Sequence, residues 1–194
     1  VIWAASGIYL LARHILKVGT IAALIAAVTF AFGGDMGAHV EQINQLQGLA
    51  WLPWLFLLFG LSLARPGRYL PLLGAAWALQ LLTGHTQTTF MSGVGLGIYA
   101  LVHIATTKRT LRAAAMPFVI LALAALLAVL LALPQLIPTQ ELVSLSNRGD
   151  GLNAQEATAF SLEPSLIGRG LLPGYAGQPF SEFLSYIGVI GLGV

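Results

Sequence analysis

The sequence contains no cysteine and very little charge. Its 194 residues include 9 Lys and Arg, 7 Asp and Glu, and no Cys. Disulfides, thiolate metal sites and thiol catalysis are therefore excluded. Only 8% of the residues are charged, against about 25% in ordinary soluble domains, so a soluble globule of this composition lacks the polar surface it needs. This excludes a soluble enzyme and a disordered chain, and no basic patch is large enough to follow the phosphates of a nucleic acid.

Apolar residues dominate what is present. They make up 57% of the chain, and the mean hydropathy is +0.84. Because apolar runs of about 20 residues cross a bilayer as helices, we expect an all-α polytopic transmembrane bundle whose first partner is the lipid bilayer. Residues 1–194 are predicted to form part of a single transmembrane domain. Six spans and a truncated seventh are predicted near residues 1–12, 18–32, 46–64, 69–83, 90–106, 113–133 and 183–194.

The remaining long segment, residues 134–182, is predicted to be a partly helical outer loop. It opens with Pro134 and Pro138, which we expect to end the sixth helix because proline removes a helical N–H and clashes with the preceding turn. The chain starts at Val1 inside one apolar run and stops inside another. We therefore expect an internal piece of a longer membrane protein.

Charge of opposite sign falls on opposite sides of these spans. If the helices alternate in direction, seven of the nine basic residues share one side, and all seven acidic residues share the other. Loops rich in Lys and Arg stay in the cytoplasm, so the acidic side is predicted to be extracytoplasmic. The residues predicted to be cytoplasmic are Arg13, Lys17, Arg65, Arg68, Lys108, Arg109 and Arg112.

The first outer loop carries a carboxylate and a histidine four residues apart. Asp35 and His39 share a face if the segment is helical, and they are candidates for a metal site or for a histidine oriented by a carboxylate. The alternative is that Asp35 caps a helix and His39 lies at the membrane interface. We take Asp35 as a candidate catalytic residue, with His39 and Glu41 as candidate substrate-binding residues.

Two further outer segments contribute candidates. The run 83–89 places His85 and Gln87 at the mouth of two spans, where a histidine can act as a general acid or base or bind an anion. The alternative is that this run only caps helix ends and bonds to neighbouring helices. In the long loop, Arg148 is the candidate for binding a phosphate, since its planar fork matches phosphate oxygens; the alternative is an ion pair with Asp150 or Glu141.

Several phrases of the sequence together resemble one family. The run GGDMGAHVEQINQLQGLAWLPWLFL resembles a segment of YfhO-type bacterial membrane proteins in which a helix opens with Trp-x-Pro. LLTGHTQTTFMSGVGLGIYAL resembles the Gly-His-x-Gln phrase of the same family, and LPQLIPTQELVSLSNR resembles its Pro-Thr-x-Glu-Leu phrase ending in Ser-x-Arg. IYLLARHI fits the preceding helix end. Order and spacing match from about residue 9 to residue 148.

The resemblance implies a function as well as a fold. The family is similar to the GT-C class of membrane glycosyltransferases, which take a sugar from a polyprenyl-phosphate carrier and transfer it to a cell-envelope acceptor outside the cytoplasmic membrane of a bacterium. It implies inverting transfer, with a carboxylate activating the acceptor hydroxyl and sometimes a divalent metal ion as cofactor. The family's catalytic Asp is expected upstream of Val1, with Asp35 as the substitute in this chain. His85, Gln87 and Arg148 are then expected to line the site for the donor phosphate or the acceptor.

Two other classes of function stay open at this point. A transporter or flippase for a lipid or a solute would prefer broken helices and polar groups near the membrane midplane. Gln80 is the one strongly polar side chain deep in a predicted span, and a hydrogen bond between helices accounts for it. A non-catalytic membrane scaffold is the third class. The glycosyltransferase hypothesis alone predicts that Asp35, His39, His85, Gln87 and Arg148 converge on one outer cavity.

Overall fold

The structure, a computed structural model, describes residues 1–107 and 111–146. This part of the chain is helical and contains no β-strand, as the apolar runs predict. The helices are α1 (Ile2–His14), α2 (Thr20–Ala31), α3 (Gly34–Ala38), α4 (Ile43–Ala64), α5 (Pro66–Leu81), α6 (Thr86–Thr106) and α7 (Leu111–Ser144).

Four helical segments are long and apolar enough to cross a membrane. They are Thr20–Ala38, Ile43–Ala64, Thr86–Thr106 and Ala114–Val143. The other two predicted spans within the described residues are helical but shorter, because α1 has 13 residues and α5 has 16. The predicted seventh span and residues 147–182 of the predicted loop lie outside the described residues.

The predicted end of the sixth span is wrong. Helix α7 does not stop at residue 133 but passes through Pro134 and Pro138 and ends at Ser144. Each proline removes only one helical hydrogen bond, whereas ending the helix in an apolar setting leaves several carbonyl groups without partners. Helical geometry is kept around the prolines, since the Thr139 hydroxyl donates to the Gln135 carbonyl oxygen at 2.8 Å. The first eleven residues of the predicted outer loop therefore belong to the bundle.

Helix α4 is the centre of the bundle, because it contacts α1, α5, α6 and α7. The buried core lies where these helices meet, and it includes Leu55 and Phe59 of α4 and Leu73 of α5. Gly74 permits the close approach of α5 to α7, since a Cβ atom at this position would lie 2.6 Å from Leu127 Cδ2. Small residues at such contacts are typical of helices packed inside membranes.

Helices α1 and α4 run in the same direction, with the beginning of α1 beside the middle of α4. Trp3 at the beginning of α1 stacks on Trp54 in the middle of α4, with ring centroids 4.2 Å apart, and the Trp54 indole N–H donates to the Trp3 carbonyl oxygen at 3.0 Å. At the far end, a Cβ atom on Gly60 would lie 2.7 Å from Ile15 Cδ1. Helices α1 and α4 are therefore parallel, and Asp35 on α3 and Glu41 in the following turn come just before the beginning of α4.

Candidate functional site

A cavity of about 980 Å³ opens where α3, α4 and α6 meet. The polar lining comes from α3 and the residue after it, from the beginnings of α4 and α6, and from the residue before α6. The apolar lining comes from residues further along α4 and α6. The polar side chains are Asp35, His39, Gln45, His85, Gln87, Thr88 and Ser92. The larger apolar ones are Leu49, Leu52, Phe56 and Met91.

Four of the six predicted site residues line this one cavity, although they come from two loops about fifty positions apart. They are Asp35, His39, His85 and Gln87. Glu41 is exposed and is not part of the lining. Arg148 lies outside the described residues, so its predicted place at the site stays a prediction. The roles assigned to the four lining residues also stay predictions.

Asp35 lies on the short helix α3 and His39 is the residue that follows it, and the spacing of four residues brings them together as predicted. His39 Nδ1 is 2.7 Å from the Asp35 carbonyl oxygen and 3.6 Å from the Asp35 carboxylate. The main-chain oxygen is thus the hydrogen-bond acceptor, and the carboxylate acts on the ring through its charge. The alternative role of Asp35 as a helix cap does not hold, because Gly33 occupies the N-cap position.

The same pair was the candidate for a metal site. Within the described ranges, no group of three or more His, Cys, Asp or Glu side chains comes together. Catalytic zinc sites usually have three protein ligands, so two ligands favour the pairing of a carboxylate with a histidine over a metal centre.

His85 caps helix α6. It follows Gly84, whose φ of 81° lies in the left-handed region that glycine adopts without strain and that most other residues avoid. The tight turn at Gly84 places His85 at the N-cap, where its Nδ1 accepts the Thr88 backbone N–H at 3.3 Å and also bonds to the Thr88 hydroxyl. The ring therefore has the capping role that the sequence offered as an alternative, and it lines the cavity as well.

A buried glutamine holds the helices behind this cavity. Gln80 is fully buried, and its Nε2 donates to the Gly48 carbonyl oxygen at 2.9 Å and to the Ser92 hydroxyl at 2.8 Å. Ser92 in turn donates to the Thr88 carbonyl oxygen at 2.8 Å. The hydrogen bond between helices predicted for Gln80 is confirmed, and it connects α4, α5 and α6 at the wall of the cavity.

The sequence reasoning missed a column of lining residues on α4. Gln45, Leu49, Leu52 and Phe56 follow one another at steps of four, three and four positions. This spacing puts them on one face of the helix. The signal is present in the sequence, but α4 is apolar all round, so the periodicity does not distinguish a cavity wall from a core face or a lipid face.

A second cavity of about 540 Å³ lies on the other side of α6, against α5 and α7. Its lining is almost entirely apolar and includes Trp77, Phe90 and Val129. The first half of α6 is therefore flanked by a cavity on each side, and only the one next to α3 and α4 has ionisable groups in its lining.

Comparison of the chain with protein-family models, with curated proteins and with solved structures found no match. A helical bundle is compatible with many functions. The functional argument therefore depends on the chemistry of the cavity.

Proposed function

We propose that the cavity binds a polyprenyl-phosphate-linked sugar and that the chain is part of a membrane glycosyltransferase, which transfers the sugar to a cell-envelope acceptor outside the cytoplasmic membrane of a bacterium. One observation carries the proposal: the lining changes from polar to apolar along the same two helices. Such a cavity suits a ligand that has a polar head and a hydrocarbon chain.

The change in lining follows the axes of α4 and α6. On α4 the first lining residue, Gln45, is polar, and Leu49, Leu52 and Phe56 follow it. Eleven residues of α-helix separate Gln45 from Phe56, which corresponds to about 16 Å along the axis. On α6, Gln87 and Thr88 come first, and Met91 follows beside Ser92, whose hydroxyl is bonded to Gln80 and to the Thr88 carbonyl oxygen. Because the beginnings of both helices line the same cavity, its polar mouth lies at one end and its apolar part lies deeper in the bundle.

The polar mouth suits an anionic, hydroxyl-rich group. The beginning of α6 is there, and the positive dipole end of a helix favours a phosphate. The amides of Gln45 and Gln87 and the Thr88 hydroxyl offer donors and acceptors for sugar hydroxyls. Arg148, predicted from the sequence to bind the phosphate, is proposed to complete this site.

Charge supports the orientation of the proposed site. In the described part of the chain, the basic side chains Arg13, Lys17, Arg65 and Arg68 follow the ends of α1 and α4 or lie close to them. The cavity mouth lies at the beginnings of α4 and α6. We infer that the basic end is cytoplasmic and that the mouth opens to the outside, where lipid-linked sugars are used.

A direct test uses the protein in membrane vesicles with a labelled sugar on a polyprenyl-phosphate donor. Met91→Trp puts a large ring into the deeper part of the cavity, whereas Ile98→Trp puts the same ring on an exposed position of α6 that lines neither cavity. We expect Met91→Trp to lower both sugar transfer and labelling by a photoreactive polyprenyl phosphate about tenfold, which corresponds to roughly 1.4 kcal/mol of binding. Ile98→Trp should stay within about twofold of wild type on the same scale.

One observation favours a second candidate function, a transporter or flippase for an amphiphilic ligand. The candidate span Thr20–Ala38 is not one continuous helix, because α2 ends at Ala31 and α3 begins at Gly34. Broken helices often form the binding sites of transporters. The two functions differ in outcome: labelling and movement of the lipid across the vesicle membrane, with no sugar transferred from any donor, would replace the glycosyltransferase proposal by the transporter.

A further inference from the structure

The cavity next to α3 and α4 ends at one aromatic ring. Its lining follows α4 as far as Phe56 and α6 as far as Gly95, and these two residues face each other. A Cβ atom on Gly95 would lie 2.9 Å from Phe56 Cζ, so the tip of the ring reaches the backbone of α6. The ring therefore bridges the space between the two helices and closes the cavity at its apolar end.

A second ring lies behind Phe56 and holds it in place. The Tyr99 ring is nearly parallel to the Phe56 ring, with centroids 6.1 Å apart and 9° between the planes. Tyr99 also meets the fully buried Phe59 edge to face, with centroids 5.2 Å apart. On its far side, a Cβ atom on Gly60 would lie 2.9 Å from the Tyr99 hydroxyl oxygen. Beyond Phe56, the space between α4 and α6 is thus filled by packed side chains.

The position of the Phe56 ring fixes the depth of the apolar part of the cavity. The apolar lining on α4 begins at Leu49 and ends at Phe56, and this step of seven residues corresponds to about 10 Å along the helix axis. An isoprene unit adds four bonds of about 1.5 Å to a hydrocarbon chain, or about 5 Å of extended length because the bonds zigzag. About two isoprene units therefore fit between the polar mouth and the ring.

We propose that Phe56 is a specificity-determining residue, whose ring limits the hydrocarbon enclosed by the cavity to about two isoprene units next to the phosphate. This inference rests on the proposed function, because it takes the prenyl chain of the lipid-linked sugar as the occupant. The remaining units of a longer chain lie outside the cavity. The protein thus recognises the beginning of a polyprenyl chain and is insensitive to its full length.

A change in the size of this side chain should move the closed end of the cavity. Phe56→Ala removes the ring and leaves Tyr99, whose ring centroid is 6.1 Å from that of Phe56, as the next barrier. That distance is room for about one more isoprene unit. Phe56→Trp has the opposite effect, since the larger ring occupies part of the present cavity. Two opposite shifts in chain-length preference distinguish this role from a loss of folding, which would weaken the binding of every chain.

The test measures competition in lipid nanodiscs that contain the protein. A photoreactive polyprenyl phosphate labels the cavity, and geranyl phosphate and farnesyl phosphate compete with it. Each competitor enters the lipid to the same extent whichever variant is present, so a change in the ratio of their inhibitory concentrations reports the cavity. We expect Phe56→Ala to shift this ratio about fivefold towards farnesyl phosphate, because the third unit then gains contacts with protein atoms. Phe56→Leu keeps more of the packing and should shift the ratio about twofold the same way.

The larger side chain is tested with a shorter competitor. We expect Phe56→Trp to shift the ratio for dimethylallyl and geranyl phosphate about fivefold towards dimethylallyl phosphate, since the second unit loses its place. Phe118→Ala is the control, because Phe118 is exposed on α7 and lines neither cavity. It should keep both ratios of the wild-type protein.

The outcomes separate this inference from the proposed function. Wild-type ratios in Phe56→Ala and Phe56→Leu, with thermal midpoints close to that of wild type, would overturn the inference and leave the proposed ligand in place. An equal loss of all competitors in every Phe56 variant would also overturn it, since the ring would then only support the fold. A wild-type protein that is not labelled by polyprenyl phosphate would overturn the proposed function, and this inference with it. Labelling without sugar transfer would favour the transporter, and the ratios would still decide the role of Phe56.

Discussion

The bundle has a closed half, where the helices pack around the core, and an open half, where the two cavities lie. Helix α6 runs through both. Its second half contributes Leu96 and Ala100 to the core, and both are fully buried. Its first half lies between the two cavities, where Phe90 lines one cavity and Met91 lines the other. The two halves therefore have different roles. Packing in the closed half fixes the positions of the helices, and the open half leaves space for a ligand between them.

The largest loss of stability is expected from a substitution that disrupts packing in the closed half. Gly74→Leu puts a branched side chain where a Cβ atom alone would lie 2.6 Å from Leu127 Cδ2 and 2.9 Å from Leu127 Cβ. Overpacking of this kind costs about 3 kcal/mol, and we expect a lower thermal midpoint and a poor yield of monodisperse protein in detergent. Gly67→Leu, also on α5, should match wild type, since a Cβ atom at Gly67 meets no atom of the described part of the chain within 4 Å. Equal stability of the two variants would mean that α5 and α7 are not in close contact.

An intermediate loss of stability is expected when the hydrogen bonds of Gln80, which connect α4, α5 and α6, are removed. Gln80→Leu removes the hydrogen bonds to Gly48 and Ser92, but it also removes a buried Oε1 that has no hydrogen-bond partner among the described residues. We therefore expect a loss of about 1–2 kcal/mol in the free energy of unfolding, measured by denaturant titration in micelles. Gln47→Leu changes an exposed amide on α4 and serves as the control.

A double-mutant cycle sharpens this result. If Gln80 and Ser92 act through their shared bond, Ser92→Ala added to Gln80→Leu should cost less than the sum of the two single changes. Strict additivity would mean that the bond between them contributes nothing to stability.

The closed and open halves also differ in how far the sequence predicts them. The helices were predictable because apolar runs of sufficient length are a local signal. The meeting of Asp35 and His39 followed from a spacing of four residues, which is also local. The continuation of α7 through Pro134 and Pro138 was missed because proline usually ends a helix in water, whereas an apolar environment makes it costly to end one.

The rest of the cavity depends on contacts between distant parts of the chain. Gln45 and Phe56 line the cavity because their face of α4 is turned towards α6. The composition of α4 does not predict which of its faces is turned that way. His85 was predicted to be either a helix cap or a site residue, and the structure shows a cap that also lines the cavity.

The smallest change in stability is expected from substitutions at two glycines of α6. One of these substitutions should change the width of the cavity in the open half. A Cβ atom on Gly95 would lie 2.9 Å from Phe56 Cζ, at the far end of a ring that lines the cavity, whereas one on Gly97 meets nothing within 4 Å. Gly95→Ala should therefore push the ring and narrow the cavity, lowering labelling by the photoreactive polyprenyl phosphate about threefold, or roughly 0.7 kcal/mol.

Alanine gains about 1 kcal/mol over glycine within a helix, so we expect little net loss of stability in Gly95→Ala and a modest gain in Gly97→Ala. Labelling that falls equally in both variants would show that the effect comes from the backbone of α6 and not from the width of the cavity.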